Sequence, residues 1–528
     1  MLRKYFDPEF IISQCHEIRS PLYLIQDKQS QLNTVLDIHS FETLSREASH
    51  TFHTVGFLPA LYPERLGSPR FSSVHGTRFP YIVGAMANGI ATSTMVIEAA
   101  KIGCIGFFGA AGLPHDRVLH NIQHIQSELN AHQINWGSNL IHSPHEPGLE
   151  EKVTEIYLNN RVYRISASAY LKLNNNIVHY ACKGLHVNPE GKIIRRNYIF
   201  AKISRLEVAK QFMSPAPDEI LQSLLQQGKI SPQEAQLAKH IPVAQDITIE
   251  SDSGGHTDNR PLSALFSSIQ TLAKQIFDKH KYQEPIRLGA AGGIGTPASA
   301  AAAFSLGASY ILTGSINQST LESGLSPLGK ELLLQTDIAD ITMAPAADMF
   351  ELGVNVQVLK RGTLFAQRAK KLYEIYHRYN SIDEIPQDET SHLEKNIFKM
   401  PLTQVWEETT AFFKERDLTQ LVKAKANPKH QMALVFRWYL GLSSYWAIKG
   451  DSNRTADYQI WCGPAMGAFN HWLKGSVLEP LDQRKVSQIA LNILEGAAVI
   501  TRAHQCRSFN IIMPQDAFHF EPRIINHL

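Results

Sequence analysis

A chain of 528 residues, 44% hydrophobic and 19% charged, can bury a large core and is longer than a single (β/α)8 barrel of about 250 residues. Its 51 Lys and Arg are interspersed with 49 Asp and Glu for a net charge of +2, which argues against a basic stripe for nucleic acid and against a charged disordered tail. No apolar run approaches the ~18 residues of a membrane span, MLRKYFDPEF leads into no signal-peptide core, and the five cysteines (Cys15, Cys104, Cys182, Cys462, Cys506) form no CxxC pair. The expectation is a cytoplasmic protein with reduced thiols, no disulfide framework, no zinc site and no membrane partner.

Residues 1–73, with proline-bearing loops such as Leu58-Pro59-Ala60-Leu61-Tyr62-Pro63, read as an N-terminal extension packed on the barrel. From Arg78 onward strands and helices alternate. Residues 79–84 form the first predicted strand, followed by a helix over 93–101. A second strand over 102–108 precedes an amphipathic helix over 116–129, and a third over 134–141 precedes a helix over 149–158. The fourth and fifth strands cover 162–166 and 198–203, with an inserted hairpin over 176–195 between them. A helical insertion near 204–243 comes next, in which Ser231, Pro232 and Glu234 supply an N-cap, a first-turn proline and a capping-box acid. The sixth strand covers 246–250, a helix 262–279, and the seventh and eighth strands 286–291 and 310–312. Eight alternating units predict an α/β chain with a closed TIM barrel over 74–340. Beyond it, helical patterns over 362–379, 402–414 and 432–446 predict a mostly helical C-terminal region over 341–528. Its aromatic residues (among them Phe412, Phe436, Tyr439 and Tyr445) fall at helical spacing and read as core.

Residues 285–315, PIRLGAAGGIGTPASAAAAFSLGASYILTGS, hold the most specific local signal. Glycines after the seventh strand let the backbone turn, Thr296 and Pro297 open a short helix, and the eighth strand runs into Thr313-Gly314-Ser315. Two adjacent strands ending in backbone N–H groups, one feeding a helix N-terminus, suit a doubly charged phosphate. The segment Glu250-Ser251-Asp252-Ser253-Gly254-Gly255-His256 leaves the sixth strand at the same face. There His256 would either polarise or protonate a substrate or simply hydrogen-bond its own loop. Gly84-Ala85-Met86-Ala87 ends the first strand in small residues, which admits a planar cofactor or merely makes a tight turn. Asn139 and Lys202, at the ends of the third and fifth strands, would meet the polar edge of such a ring or act as loop hydrogen-bonders. Lys360-Arg361 reads as a phosphate contact or a solvated pair. His120 and His124 stand one helical turn apart without an evident third metal ligand. No Rossmann GxGxxG, Walker loop or G-x-S-x-G elbow is present.

Taken together, these residues resemble the flavin-dependent barrel superfamily of nitronate monooxygenases and flavin enoyl reductases. The shared motifs are Gly84-Ala85-Met86-Ala87, Asp252-Ser253-Gly254-Gly255-His256, Ala291-Gly292-Gly293-Ile294 and Gly314-Ser315, with Asp252 where glutamate is common. The blocks LYPERLGSPRF, GAMANGIAT, GFFGAAGL, NLIHSPHEP, ISASAY, ESDSGGHTDNRPL, GAAGGIGTP, TMAPAADMFELGVNVQVLKRGT, HQMALVFRWYLGLSS and DYQIWCGPAMGAFN resemble, in order, the PfaD family. Its members are trans-acting enoyl reductases of polyunsaturated fatty acid synthases and trans-acyltransferase polyketide synthases. The resemblance implies FMN as cofactor and NADPH as hydride donor. It also implies an enoyl thioester on an acyl carrier protein as substrate and fatty acid or polyketide synthase modules as partners; a homodimer is one assembly open to it, which the sequence itself does not specify. It implies that Gly292, Gly293, Gly314 and Ser315 hold the phosphate, and that Met86, Ala87, Asn139 and Lys202 line the ring. Gly84, Ala85, Asp252, Gly254, Gly255, Ala291 and Ile294 would complete the cofactor site, and His256 would polarise or protonate the substrate. A flavin oxidase and a non-catalytic flavin-bound protein within a megasynthase are the alternatives.

Overall fold

The computed structural model describes residues 2–130, 132–143 and 147–526; Pro144, His145 and Glu146 of the NLIHSPHEP block lie outside the described residues. Eight parallel strands close into a barrel in sequence order: β1 (Tyr81–Val83), β2 (Ile105–Phe108), β3 (Trp136–Ile141), β4 (Arg164–Ser168), β5 (Tyr198–Ile203), β6 (Asp246–Glu250), β7 (Arg287–Ala291) and β8 (Tyr310–Thr313). Pairing of Thr313 with Val83 joins β8 to β1. The strands are near-continuous apolar runs because helices cover the outside and side chains fill the inside.

The interior is filled by Ile82, Ile105, Phe107, Phe200, Ala291, Tyr310 and Leu312, together with Phe71 from the helix Pro69–His75. Phe71 stacks on Tyr310 with ring centroids 4.7 Å apart. This helix plugs the N-terminal end of the barrel, because His75 meets the first residues of three strands, Arg164, Tyr198 (ring centroids 5.1 Å apart) and Asp246. Its Nδ1 accepts from Arg164 Nε (3.2 Å), and its Nε2 lies 3.3 Å from Asp246 Oδ1. Arg287 donates to both Asp246 oxygens at 2.6 and 2.7 Å. Burial alone would raise the Asp246 pKa, but the Arg287 charge and His75 outweigh it and hold the carboxyl well below the usual range. Burial likewise takes His75 down to about 4, so it is neutral at neutral pH. Asp246→Asn leaves a buried guanidinium without its counter-charge and is expected to destabilise the fold by about 3–5 kcal/mol in urea unfolding at neutral pH. Because the native pKa is depressed, the wild-type advantage exists above the ordinary carboxylate pKa and disappears on acidification through the native value.

Two local expectations are revised. Residues 176–195 are not simply a hairpin: Asn174 accepts from Ile177 N (3.0 Å) and caps a helix, Asn175–Cys182, whose apolar face is buried. Only the two-residue strands His186–Val187 and Ile193–Ile194 then pair. The N-terminal extension, a three-stranded antiparallel sheet with the helix Pro8–His16, rests chiefly on the C-terminal helix Val486–Ser508. Arg19 donates to both Glu495 oxygens (2.5 and 2.7 Å), and Cys15 Sγ lies 3.7 Å from Cys506 Sγ. The helix Val486–Ser508 in turn packs on Pro297–Ser305, where a Cβ on Gly496 would stand 2.7 Å from Pro297 Cβ. The insertion after β5 folds as three helices, with the Ser231–Glu234 capping box formed.

After β8 come a 3-10 turn (Ser315–Ser319) and the helix Pro327–Leu334, then an antiparallel hairpin, Ile341–Pro345 with Asn355–Leu359, beyond which the chain is largely helical. The hairpin pairs with Gly255–His256 to make a three-stranded sheet over the C-terminal end of the barrel. The helix Pro428–Lys449 buries Phe436 and Tyr439, whereas Phe412 and Tyr445, both expected in the core, are each 51% exposed. Buried Asp457 ties this layer together by accepting from Tyr439 Oη (2.8 Å), Arg454 (3.3 Å) and Arg368. Among the described residues, no helix is long and apolar enough to cross a membrane.

Candidate active site

A cavity of about 400 Å³ opens at the C-terminal ends of the strands. Its walls include Ala85, Met86 and Ala87 after β1, Asn139 on β3, Lys202 on β5, Asp252, Gly254, Gly255 and His256 after β6, Ala291 to Ile294 at the end of β7, and Gly314 and Ser315 after β8. The barrel brings together residues up to 230 positions apart because every strand ends at one rim. Gly84 stands apart from them. Its N–H donates to Thr313 O (2.8 Å), and a Cβ there would lie 2.6 Å from Leu312 Cδ2, so this glycine serves the contact of β1 with β8.

The glycines at the two turns have different tasks. Gly292 and Gly293 have φ of +82° and +68°, a region that other residues adopt only with strain. A Cβ on Gly292 would meet Ser251 Oγ at 2.6 Å, whereas Gly293 and Gly314 have open space in that direction. The helix behind them begins with a capping box: Ser299 N donates to Thr296 Oγ1 (3.3 Å) and Thr296 N to Ser299 Oγ (3.1 Å). Ser315 Oγ accepts from Gly463 N (3.1 Å), which pins a C-terminal segment against this corner.

The polar side chains are prearranged. Lys202 Nζ lies 2.6 Å from Glu250 Oε1, both about one-fifth exposed. Asn139 donates to Ser166 O (2.8 Å) and Ser168 Oγ (2.9 Å), leaving its carboxamide oxygen as the group it can offer a ligand. Asp252 Oδ1 accepts from Asn259 (2.9 Å) and Gln357 (2.8 Å), so its carboxylate fastens the loop to the hairpin. His256 Nε2 is 3.1 Å from Asp348 Oδ1, and the imidazole is 38% exposed. Burial pulls its pKa down, but the hydrogen bond and charge of Asp348, with Glu250 adding to them, carry it above the ordinary histidine value. Among the described residues, two polar atoms on the cavity walls, Ser253 Oγ and Gln318 Oε1, are buried without a hydrogen-bond partner.

The roof comes from the C-terminal region. Leu440, Gly441 and Ser444 share one face of the helix Pro428–Lys449, and Gln459, Trp461, Gly463 and Ala465 follow it. The roof sits close: a Cβ on Gly254 would lie 2.8 Å from Cys462 N, and Trp461 bridges to Val358 of the hairpin. Sequence reasoning did not identify Glu250, Gln318, Asp348, Trp461 or the roof helix. Only Glu250 left a signal, as a charge ending the predicted strand beside the one that ends in Lys202. Lys360 and Arg361 do not line the cavity; they precede the helix Phe365–Arg378, and Arg361 pairs with Asp340 at 3.3 Å. His124 Nδ1 hydrogen-bonds Ser93 Oγ at 3.0 Å.

Residues 379–458, which carry the roof helix, match the family of the acyl-carrier-protein S-malonyltransferase inserted helical domain. The whole arrangement is similar to the crystal structure of the enoyl reductase domain of MlnA from the macrolactin biosynthesis cluster of Bacillus amyloliquefaciens. The two are 37% identical with a TM-score of 0.80, over 84% of this chain and 99% of that one. The chain belongs to the PfaD-like enoyl reductase family. Other relatives are named for polyunsaturated fatty acid and polyketide biosynthesis. A polyunsaturated fatty acid synthase protein of Thraustochytrium sp. (strain ATCC 26185 / S-3) is 40% identical over 517 residues, covering 96% of this chain and 34% of that protein. Polyketide biosynthesis protein PksE of Bacillus subtilis (strain 168) is 45% identical over 437 residues, covering 83% of this chain and 56% of that protein. The chain thus spans only part of the length of these curated relatives.

Proposed function

We propose that this chain is an enoyl reductase with FMN as its resident cofactor and NAD(P)H as hydride donor. Its substrate is an α,β-unsaturated thioester presented in trans on an acyl carrier protein, as part of a polyunsaturated fatty acid or polyketide synthase. The observation that carries the reading is a single cavity with an open glycine cradle at the ends of β7 and β8 and a carboxylate-paired histidine at the end of β6. A cytoplasmic setting accords with five buried free thiols.

The residues fit an FMN group. Gly293 and Gly314 leave room where side chains would obstruct a phosphate, and the hydroxyl of Ser315 is beside them. Asn139 Oδ1, Gln318 Oε1 and Ser253 Oγ supply the polar contacts that a ring edge and a polyol chain require. Bound there, the flavin would take hydride from NAD(P)H and deliver it to Cβ of the unsaturated thioester. The protein's own task is then to place the alkene, exclude water and protonate Cα. His256 is suited to the last step: its raised pKa keeps a proton available near neutrality, and its partial exposure lets solvent restore it. Lys202 is already neutralised by Glu250, so the pair orients a ligand more than it adds net positive charge. Leu440 and Trp461 close the chamber with apolar surface.

Anaerobic titration with NADPH tests the reading. The bound flavin is expected to bleach and to regain its colour when an enoyl thioester on a carrier protein is added, with saturated thioester formed. Recovery only on admission of oxygen would make the protein an oxidase. A protein that takes up no FMN would remove the basis of the proposal.

A further inference from the structure

We propose that Asp348 is the positioning residue for the site's proton donor, holding the His256 imidazole from the turn of the 341–359 hairpin. The idea rests on the reductase reading for the use made of the proton, but the hold itself is a property of the hairpin. Three contacts converge on the loop after β6. Its backbone pairs with the hairpin through Gly255 with Gln357 and His256 with Val356. Its Asp252 and Ser253 accept from Gln357 Nε2 at 2.8 and 2.9 Å. Its imidazole meets Asp348 at 3.1 Å.

The turn carrying Asp348 is itself fixed. Ala346 N donates to Val354 O (2.9 Å), Gly353 takes φ +71°, and fully buried Phe350 seats the turn edge-on against Tyr373 with centroids 5.4 Å apart. A carboxylate at Nε2 sets which nitrogen carries the shared proton and leaves Nδ1 as the atom to face a substrate. The charged groups that bear on His256 are Asp348, Glu250 and Lys202, and Arg437 bears on Asp348. Of these, Asp348 is the one in hydrogen-bond contact with the ring. The upward shift of His256 has the direction this contact requires, since burial opposes it.

The test uses the FMN-loaded protein with isotopically labelled histidine, taking the H256Q spectrum to assign the His256 signal. In D348N the His256 titration is expected to move to lower pH. The high-pH limb of the kcat profile, where the acid loses its proton, should move down with it. Turnover near neutrality should fall about tenfold or more, with D348E restoring part of both and flavin content unchanged. An unmoved His256 titration in D348N would overturn the proposal, and so would a moved titration with an unmoved rate limb. If the wild-type protein reduces no enoyl thioester, the reductase reading fails by itself, and the titration alone decides whether Asp348 governs His256.

Discussion

His256→Gln is expected to slow the reduction of an enoyl thioester by about 10²–10⁴-fold while leaving flavin content and thermal stability unchanged. Under the proposed reductase reading, the size follows from the removal of a positioned acid at the step where Cα gains its proton. Glutamine keeps a hydrogen-bonding group of similar reach but supplies no proton. Stopped-flow measurement of the two half-reactions separates the roles: bleaching by NADPH should keep its rate, and reoxidation by the enoyl thioester should carry the whole defect. The wild-type rate should fall as pH rises through the raised His256 pKa, and the variant should lose that dependence. An unchanged reoxidation rate in the variant would assign His256 to the architecture of its loop and the proton to solvent.

Gly314→Val is expected to yield a folded protein without cofactor. Gly314 has no heavy atom within 4 Å of where a Cβ would stand, and its φ of −125° is accessible to any residue. The first side-chain atom therefore enters open space, where it obstructs what would occupy the cradle. Loss of two charge-assisted hydrogen bonds to a phosphate corresponds to about 3–6 kcal/mol, or more than about 100-fold in affinity. Flavin absorbance of the purified variant, and its uptake of added FMN, report the outcome beside a melting temperature equal to that of the cofactor-free wild type. Gly254→Val is the contrasting control, because its side chain would collide with the backbone of Cys462 at 2.8 Å and should lower the melting temperature. Full flavin retention in Gly314→Val would move the phosphate site away from the ends of β7 and β8.

The barrel was legible because each unit combines a short apolar run with a bounded amphipathic helix, and β5 and β6 have the bounds that pattern predicts. The cradle was legible for a related reason: consecutive glycines followed by a threonine cap and a proline leave the backbone few alternatives. Helix-forming potential escaped notice in 176–195, where the capping role of Asn174 was not considered. Gly84 was misplaced because a glycine at a strand end looks the same whether it faces a ligand or a neighbouring strand. Asp348, Trp461 and Gly441 were invisible for a stronger reason. Each reaches the cavity only through packing between segments more than 80 residues apart, and no local pattern encodes that. The same holds for Lys202, whose position was predicted while its neutralisation by Glu250 was not.

The roof has a consequence for the order in which this site comes into being. His256 leaves the ribosome well before the hairpin that pairs with it, and Gly463, which closes against Gly254, follows roughly 200 residues later. At ordinary translation rates of about 5–20 residues per second, that interval lasts about 10–40 s. Within it β7 and β8 complete the barrel first, the hairpin strand Asn355–Leu359 then gives the loop after β6 its ladder partner, and until Gly463 follows the chamber stands open to water. Chemical competence therefore arrives late, so a nascent or interrupted chain carries the cradle without a closed chamber in which to use it.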